Sequence, residues 1–571
     1  MSGAALIATL RAIVGRRHVL VGNQATRGYR QGYRTGAGSA LAVVRPGTLV
    51  EQWRVAQACV AADISIIMQA SNTGLTGGAT PDGDEYPGGV VIISTRRITG
   101  LHLIRDGAQA ICLAGTTLHA LEKRLLPLDR EPHSVIGSSC FGASVVGGVC
   151  NNSGGSLVQR GPAFTQLSLY GAVDADGQLM LVNHLGIALG DDPETMLDAL
   201  EKGDFTAADI DDADDRWAHD RAYANHVRDI DSATPARFNA DNRCLFEAAG
   251  SAGKVIVFAV RLDTFAREAD AATFYIGTND ADQLAAIRRA LLRGDTLPIA
   301  GEYMHRDAFD IADRYGKDMF LAIERLGTDR LPRLFAFKGR LDAWAGRLPF
   351  VGQDFSDRLM QTLGRIFPDH LPAELRRYRD RFDHHLLLKV SKTAIADTHA
   401  LLSAALDNGR GDFFQCSSAV AAKAFLHRFV AAGAAIRYRA IHRDMVEDIV
   451  PLDVALPRNA AQWRETLPQE LEQMVVRSLY YGHFLCHVFH QDYIVRRGVD
   501  PLAFEHRIWA LLDARGAEYP AEHNVGHIYK AKPALEHFYR AIDPRNQCNP
   551  GIGQTRRSRH WADAQDREVR P

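Results

Sequence analysis

The chain has 571 residues, of which 46% are hydrophobic and 23% charged, with a formal net charge of −2. These values are typical of a globular protein with a large core and about three to four domains' worth of chain. A nearly neutral chain favours no particular partner, so any electrostatic function must come from local asymmetry. The eight cysteines are scattered and form no CxxC pair, which favours reduced thiols in the cytoplasm.

The first hundred residues are predicted to alternate helices with short buried strands. A helix is expected within residues 1–20, where charged residues interrupt the apolar run. No stretch of about 18 uncharged apolar residues occurs, so neither a transmembrane helix nor a signal peptide is expected. Further helix and strand patterns follow in order. Strands are predicted at 41–44, 64–68 and 90–94, and a helix at 51–62.

Two loops of small residues stand out, at 69–81 directly after a predicted strand and at 137–161. Glycine, serine, threonine and asparagine leave backbone N–H groups accessible and tolerate positive φ, which suits contact with phosphate. A plain turn or a flexible linker is the alternative. Val145, Val149 and Leu157 give the second loop apolar anchors that a linker does not need. The pair of loops therefore indicates one elongated ligand lying across both.

The common nucleotide and hydrolase motifs are absent. The chain has no GxxxxGK[ST], no GxGxxG between a strand and a helix, and neither GxSxG nor HExxH. The glycine-rich segment that ends at Lys254 continues with Val255, where a P-loop requires Ser or Thr. These absences count against a P-loop ATPase, a Rossmann dehydrogenase, an α/β-hydrolase and a zincin.

Several segments, in order, resemble the FAD-binding domain of the PCMH-type (vanillyl-alcohol-oxidase) flavoproteins. Nearly the whole chain resembles the family of bacterial quinone-dependent D-lactate dehydrogenases. The segments that carry the first resemblance are 43–51, 69–78, 112–118, 137–161 and 248–258. Those that narrow it to the second are 384–389, 522–527 and 549–553.

The resemblance implies an α+β fold that combines a two-subdomain PCMH-type FAD-binding domain with an α/β cap (substrate) domain. The FAD-binding domain is expected at 1–268 and the cap domain at 269–519, with residues 520–571 returning to the FAD domain. Basic helical insertions that dock on a membrane are expected at about 311–387 and 426–449.

An acidic, alanine-rich run at 191–215 is expected to be a solvated helical insertion or loop, because charge runs are usually exposed.

The resemblance implies FAD bound without a covalent link. The first loop would contact the pyrophosphate, the second would lie along the ribityl chain and the flavin, and one position of the segment 248–258 would offer its backbone near the isoalloxazine. The matching residues of the first loop are Gln69, Ala70, Ser71, Asn72, Thr73, Gly77 and Gly78. Those of the later segments are Gly137, Ser144, Gly154 and Val257.

The resemblance places the chemistry near the C-terminal end of the chain. His523 matches the family's catalytic histidine, which takes the hydroxyl proton of the substrate; an imidazole suits this task at neutral pH. His483, His490 and Glu522 match the ligands of a divalent metal, Zn²⁺ or Mn²⁺, in related enzymes.

The histidine segment departs from the related pattern, because Leu485, Cys486 and His487 replace the loop glycines and aspartate. In one plain strand His483 and His487 would share a face, and His490 would point the opposite way. Two interpretations stay open: the histidines bind a metal, or they bind the substrate carboxylate directly.

The implied reaction is the oxidation of D-lactate to pyruvate, with hydride transfer to FAD and electrons passed to a membrane quinone, ubiquinone or menaquinone. Arg428 is a further substrate-binding candidate. Pro451 stands where relatives that oxidise larger diacids carry lysine, which fits a small monocarboxylate. A different substrate, such as D-2-hydroxyglutarate or glycolate, or O₂ as the acceptor, is the alternative.

Residues 325–389 and 428–443 are rich in arginine interleaved with aromatic side chains. This pattern suits an anionic phospholipid surface, nucleic acid, or helices whose arginines pair with aspartates of the same chain. The resemblance favours the membrane, because the family delivers electrons to a lipid-soluble quinone. It implies a peripheral protein on the cytoplasmic face of the inner membrane, with no nucleic acid partner.

Overall fold

The computed structural model describes most of the chain. Gly137 and residues 328–354 of the basic insertion lie outside the described residues. The described residues are 2–133, 142–211, 215–327, 355–364, 366–407 and 409–562.

The first sheet has the order β1-β2-β4-β3, in which β2, β4 and β3 run parallel. Its two central strands, β2 and β4, are fully buried and almost entirely apolar, which is typical of parallel strands covered on both faces. A helix, α3 (Leu49–Ala61), is capped by the Thr48 side chain and packs its apolar face on this sheet. The predicted strands and helix of this region are therefore confirmed. The strands are β1 (Val19–Leu20), β2 (Ala42–Val44), β3 (Ser65–Gln69) and β4 (Val90–Ser94).

The second sheet is antiparallel, with the order β5-β6-β10-β8-β9 and with β7 paired to β10. Ile111 and Phe258 of this sheet share one buried apolar cluster with Ile66 and Trp53 of the first layer. The strands are β5 (Leu101–Ile104), β6 (Gln109–Leu113), β7 (Arg130–Pro132), β8 (Ser168–Val173), β9 (Leu179–Asn183) and β10 (Ile256–Ala266).

A third, antiparallel sheet has the order β14-β11-β13-β12-β16-β17-β15. Buried helix residues pack on both of its faces, with Leu284 and Ile508 on one side and Phe309 and Ala434 on the other. Together the three sheets confirm the mixed α+β fold. The strands are β11 (Ala272–Thr278), β12 (Ala300–His305), β13 (His384–Val390), β14 (Gly411–Gln415), β15 (Val446–Ala455), β16 (Val475–His483) and β17 (Val488–Arg496).

The α-helices of the described residues connect and cover these sheets. Those up to residue 293 are α1 (Gly3–Val14), α2 (Asn23–Arg30), α3, α4 (Leu118–Leu125), α5 (Val145–Cys150), α6 (Pro193–Lys202), α7 (Tyr223–Arg228) and α8 (Ala281–Arg293). Those after it are α9 (Arg306–Tyr315), α10 (Lys317–Leu326), α11 (Phe355–Gly364), α12 (Ala373–Arg381), α13 (Ile395–Ala405), α14 (Ser418–Phe429), α15 (Ala431–Ile441), α16 (Gln469–Glu472), α17 (Pro501–Ala514) and α18 (Pro533–Ile542).

The C-terminal segment packs beside the first sheet. Ile66 N donates to Gln547 O at 3.0 Å, and Asn549 N donates back to Ile66 O at 2.8 Å. The Asn549 amide also donates to Gly78 O and Ala252 O, both at 2.8 Å. The end of the chain thus ties together loops that are far apart in sequence.

The acidic run includes helix α6, whose acidic side chains are exposed or half-buried as expected, but this helix packs into the core and is not a separate insertion. This helix buries Met196, Leu197 and Leu200 in the core, and its first turn pairs Glu194 with Arg54 of α3 at 2.5 Å. Within α6, charged and apolar residues alternate at helical spacing, so only one face of this helix is solvated.

Several arginines of the basic insertion pair within the protein. Arg437 joins Asp318 at 2.7 Å and Asp357 at 3.1 Å, and Arg379 joins Asp310 at 2.6 Å. The described helices include none that is alone long and apolar enough to cross a membrane. One pair, α14 with α15, bent by 47°, meets that requirement in length and composition together.

Candidate active site

The two small-residue loops meet in the structure. Ser71 Oγ donates a hydrogen bond to Gly142 O, which joins the first loop to the second. Gly77 has φ +75°, and a Cβ there would lie 3.0 Å from the Cα of Gly36, so a side chain has no room. Asn72 also has positive φ and donates through its amide to Gln31 O at 2.8 Å. The loops therefore border one common region, as an elongated ligand requires.

Some predicted FAD-contacting residues support the loops from within. Gln69 is buried, and its amide donates to Ala79 O at 2.6 Å. Ser144 caps α5 by accepting a hydrogen bond from Gly147 N at 3.0 Å. Val257 O accepts from the Gln52 amide at 3.0 Å.

The other loop positions lie nearer the surface or against the C-terminal segment. Ala70 and Thr73 are half-buried. A Cβ on Gly78 would overlap the Asn524 side chain, so the C-terminal segment closes directly over the first loop.

The histidine segment forms a hairpin, not one plain strand. β16 ends at His483, a short 3₁₀ turn follows, and His487 adopts φ +54° before β17 begins. Tyr481 faces His490 in the register, and His483 faces Val488. The condition under which His490 would point away from His483, one plain strand, is therefore not met, because the chain reverses between them and directly opposed residues lie on one face.

His483, His490 and Glu522 form a compact group. One ligand atom of each lies within 4.8 Å of the others. Glu522 Oε2 is 3.2 Å from His483 Nε2 and 3.8 Å from His490 Nε2. Glu522 reaches the hairpin from the C-terminal segment, where its N–H donates to Asp453 Oδ2 at 2.6 Å.

A row of alternating charges passes through this group. Arg428 Nη2 lies 3.2 Å from Glu302 Oε2, and Glu302 Oε1 lies 2.6 Å from His483 Nδ1. Beyond His483, Glu522 Oε1 accepts a hydrogen bond from Arg237 Nη2 at 2.7 Å. Each buried carboxylate thus lies between two cationic or imidazole groups, as buried charges require.

The protonation states follow from burial and from this row. Burial opposes a charge on His483, but Glu302 and Glu522 outweigh it and raise its pKa to about 10. Burial lowers the pKa of His490 to about 3, against the attraction of Glu522, so this imidazole is neutral. Burial raises the pKa of Asp453 to about 6, with His523 opposing the shift and Glu522 adding to it.

His523 lies at the accessible edge of the group. Its side chain is 35% exposed, and its Nε2 lies 3.9 Å from Asp453 Oδ2. The neighbouring Glu522 side chain is 10% exposed. An imidazole in this position is open to a molecule that enters from outside.

The second small-residue loop touches the same group. A Cβ on Gly154 would lie 2.2 Å from Glu522 Oε1, so only glycine permits this approach. The predicted flavin loop and the predicted catalytic group are therefore in direct contact. Arg428 is buried nearby, with its guanidinium 4.5 Å from the centre of the Tyr481 ring.

Sequence reasoning missed Arg237, Glu302 and Asp453. Glu302 and Asp453 lie within strands whose pattern predicts burial, and a charged residue in such a strand is the signal that could have marked them. Arg237 lies outside the regular elements, and no local pattern singles it out.

Family comparisons agree with this architecture. The model of a family described as a FAD binding domain matches residues 40–183, and the model of a family described as "D-lactate dehydrogenase, membrane binding" matches residues 273–561. In fold, alkyldihydroxyacetonephosphate synthase aligns with a TM-score of 0.59 at 11% identity, covering 96% of this chain and 85% of that one. Fold and loops together define a flavoprotein with a PCMH-type FAD-binding domain.

Full-length relatives define the family more narrowly. The quinone-dependent D-lactate dehydrogenase of Escherichia coli is 54% identical over 562 residues, which cover 98% of both chains. The enzyme of that name from Haemophilus influenzae is 52% identical, covering 99% of this chain and 100% of the relative. This chain belongs to the quinone-dependent D-lactate dehydrogenases.

Proposed function

We propose that the protein oxidises D-lactate to pyruvate and passes the electrons through FAD to a membrane quinone, ubiquinone or menaquinone. The observation that carries this proposal is the contact between Gly154 of the small-residue loop and Glu522 of the histidine cluster. This contact supports the proposal because a flavin beside the loop and a proton acceptor beside Glu522 would then share one site, which the oxidation of a hydroxy acid needs.

FAD fits the paired loops. Residues 69–78 would hold the pyrophosphate through backbone N–H groups, and Ser144, Gly154 and Val257 would border the rest of the cofactor. Gly77 supports this assignment. Its positive φ and its close approach to Gly36 leave no room for a side chain, so the loop keeps a bare backbone at this position. When bound, FAD supplies the two-electron acceptor for the substrate's carbon-bound hydrogen.

His523 would take the hydroxyl proton of D-lactate. It is more exposed than His483 and His490, and Asp453 lies 3.9 Å from its Nε2, where a carboxylate stabilises the imidazolium that forms. Arg428 would bind the lactate carboxylate, since its buried Nε has no hydrogen-bond partner among the described residues.

A divalent cation, Zn²⁺ or Mn²⁺, suits the remaining three residues. His490 is neutral with its Nε2 directed at the cluster, and Glu522 offers Oε2 to the same point. Two imidazoles and a carboxylate are a donor set for these cations. His483 would give up the proton on Nε2 to become a ligand, while its Nδ1 stays bonded to Glu302.

Peripheral binding to the cytoplasmic face of an anionic membrane fits the insertion. Exposed arginines without an ion-pair partner among the described residues stand beside exposed aliphatic side chains there. Examples are Arg325 with Leu326 and Arg358 with Leu359, and Ile366 is 80% exposed. Cations attract anionic headgroups, and apolar side chains enter the acyl boundary. Liposome sedimentation should require anionic lipid and weaken at high salt.

Steady-state turnover tests the proposed reaction. The purified protein is assayed with D-lactate, L-lactate, glycolate and D-2-hydroxyglutarate, following reduction of a soluble quinone and formation of peroxide in parallel. We expect D-lactate to give the highest kcat/KM, with quinone reduction far exceeding peroxide. A preference for another hydroxy acid, or stoichiometric peroxide, would contradict the proposal.

A further inference from the structure

Arg237 is a buried cation directly behind the candidate metal ligands. Only 1% of its side chain is exposed. Its Nη2 donates to Glu522 Oε1 at 2.7 Å and also to the carbonyl oxygen of Gly155. One guanidinium nitrogen therefore connects the flavin loop with the carboxylate that faces the two histidines.

The two oxygens of Glu522 have different tasks in this geometry. Oε1 is occupied by Arg237, while Oε2 points to His483 and His490. Gly154 leaves room for the same carboxylate, because any Cβ there would overlap Oε1. The charge-assisted hydrogen bond to Oε1 thus orients the carboxylate so that Oε2 faces the two imidazoles.

Charge balance gives a second reason for a cation at this position. Glu302, Asp453 and Glu522 are all buried within this cluster. A buried carboxylate is strongly destabilised without a compensating charge. The planar guanidinium of arginine also holds two acceptors, here Glu522 Oε1 and Gly155 O, in a fixed geometry. The ammonium group of lysine is a flexible point charge and would hold them less rigidly.

We propose that Arg237 is a positioning residue: it fixes Glu522 as a metal ligand and couples the ligand set to the flavin loop. This inference rests on the proposed metal site. Arg237 itself contacts no reacting atom in this assignment; it acts through Glu522.

The chain offers a matched control in Arg288. This arginine is also fully buried, at 2% exposure, and it lies behind the same hairpin turn. It donates to backbone carbonyls only, Leu485 O at 3.2 Å and Arg458 O at 3.0 Å, and no described carboxylate pairs with it. The Arg288→Met variant therefore measures how much stability and metal affinity change when a buried guanidinium that does not contact Glu522 is removed.

The test measures the dissociation constants of Zn²⁺ and Mn²⁺ by chelator competition on FAD-loaded protein. Wild type, Arg237→Met, Arg237→Lys and Arg288→Met are compared, with flavin content and thermal midpoint recorded for each. We expect Arg237→Met to bind the metal about 10- to 100-fold more weakly, as for other outer-shell partners. Arg237→Lys should fall between it and wild type, and Arg288→Met should keep the wild-type affinity despite lower stability.

The possible outcomes distinguish a failure of the Arg237 positioning role from a failure of the proposed metal site. If wild type binds neither cation, the metal site is wrong and the inference fails with it. If wild type binds but Arg237→Met binds equally well, or is weakened no more than Arg288→Met, only the positioning role is overturned. Should Arg237→Met not fold, Arg237→Lys decides alone, because wild-type affinity in that variant would overturn the role.

Discussion

Glu302 and His483 face each other across neighbouring strands, and their side chains meet at 2.6 Å between Oε1 and Nδ1. This bond fixes the imidazole so that Nε2 points at Glu522. It also connects the hairpin to Arg428, because the second oxygen of Glu302 accepts that guanidinium. Glu302, which belongs to no recognised motif, therefore orients His483, which matches the family's metal-ligand pattern.

Replacing Glu302 should loosen this arrangement. Glu302→Gln keeps the side-chain volume but removes the charge that holds His483 and Arg428. We expect about a 10- to 100-fold loss of divalent-metal affinity, measured by chelator competition. Glu536→Gln is the control, because among the described residues that carboxylate pairs only with Arg540, one turn along the exposed side of α18. Unchanged affinity in Glu302→Gln would show that the bond does not position His483.

His523 should be essential for turnover but not for cofactor binding. His523→Gln removes the proposed proton acceptor, and we expect kcat to fall by about 10²- to 10⁴-fold, the usual contribution of a general base. Flavin content should stay at the wild-type level. His506→Gln, on the exposed side of α17, should leave kcat unchanged. Near-normal turnover in His523→Gln would assign the proton transfer to another group.

The first loop offers a paired glycine test of the FAD site. Gly77→Ala forces a Cβ onto a backbone at φ +75° and against Gly36, whereas a Cβ on Gly74 meets nothing within 4 Å. We expect Gly77→Ala to be purified with reduced flavin content, and Gly74→Ala to retain it. The ratio of flavin absorbance to protein absorbance gives the result. Equal flavin content in the two variants would contradict the placement of the pyrophosphate.

Buried neutral histidines in the helices that cover the third sheet should lower the stability of the protein in acid. Burial lowers the pKa of His427 to about 3, and the neighbouring imidazoles of His370 and His385 add to the shift. The unfolded state binds a proton near pH 6.5, so the stabilisation present above that pH is lost as the pH falls towards 3.

The loss amounts to at most about 1.4 kcal/mol per pH unit for each such group. His427→Phe preserves ring packing on Phe309, whose centroid lies 4.2 Å away, and cannot titrate. Urea unfolding at pH 7 and pH 5 should show a smaller difference for this variant than for wild type. An identical difference would mean that His427 does not titrate on unfolding.

The sequence predicted local features better than long-range ones. The strands before the first loop and helix α3 follow from hydrophobic pattern and turn chemistry, and they are confirmed. The hairpin at 484–487 was not predicted, because Leu485 and Cys486 are apolar and resemble strand residues. Arg237 and Glu522 are 285 residues apart, and Glu302 and His483 are 181 apart. No local periodicity encodes such pairs.

The most direct measurement is anaerobic titration of the bound flavin. The protein as purified should show oxidised-flavin absorbance, and D-lactate should bleach it within the time of one turnover while L-lactate leaves it unchanged. His523→Gln should bleach far more slowly at the same flavin content. A colourless protein that releases no FAD on denaturation, or a flavin indifferent to D-lactate, would contradict the account.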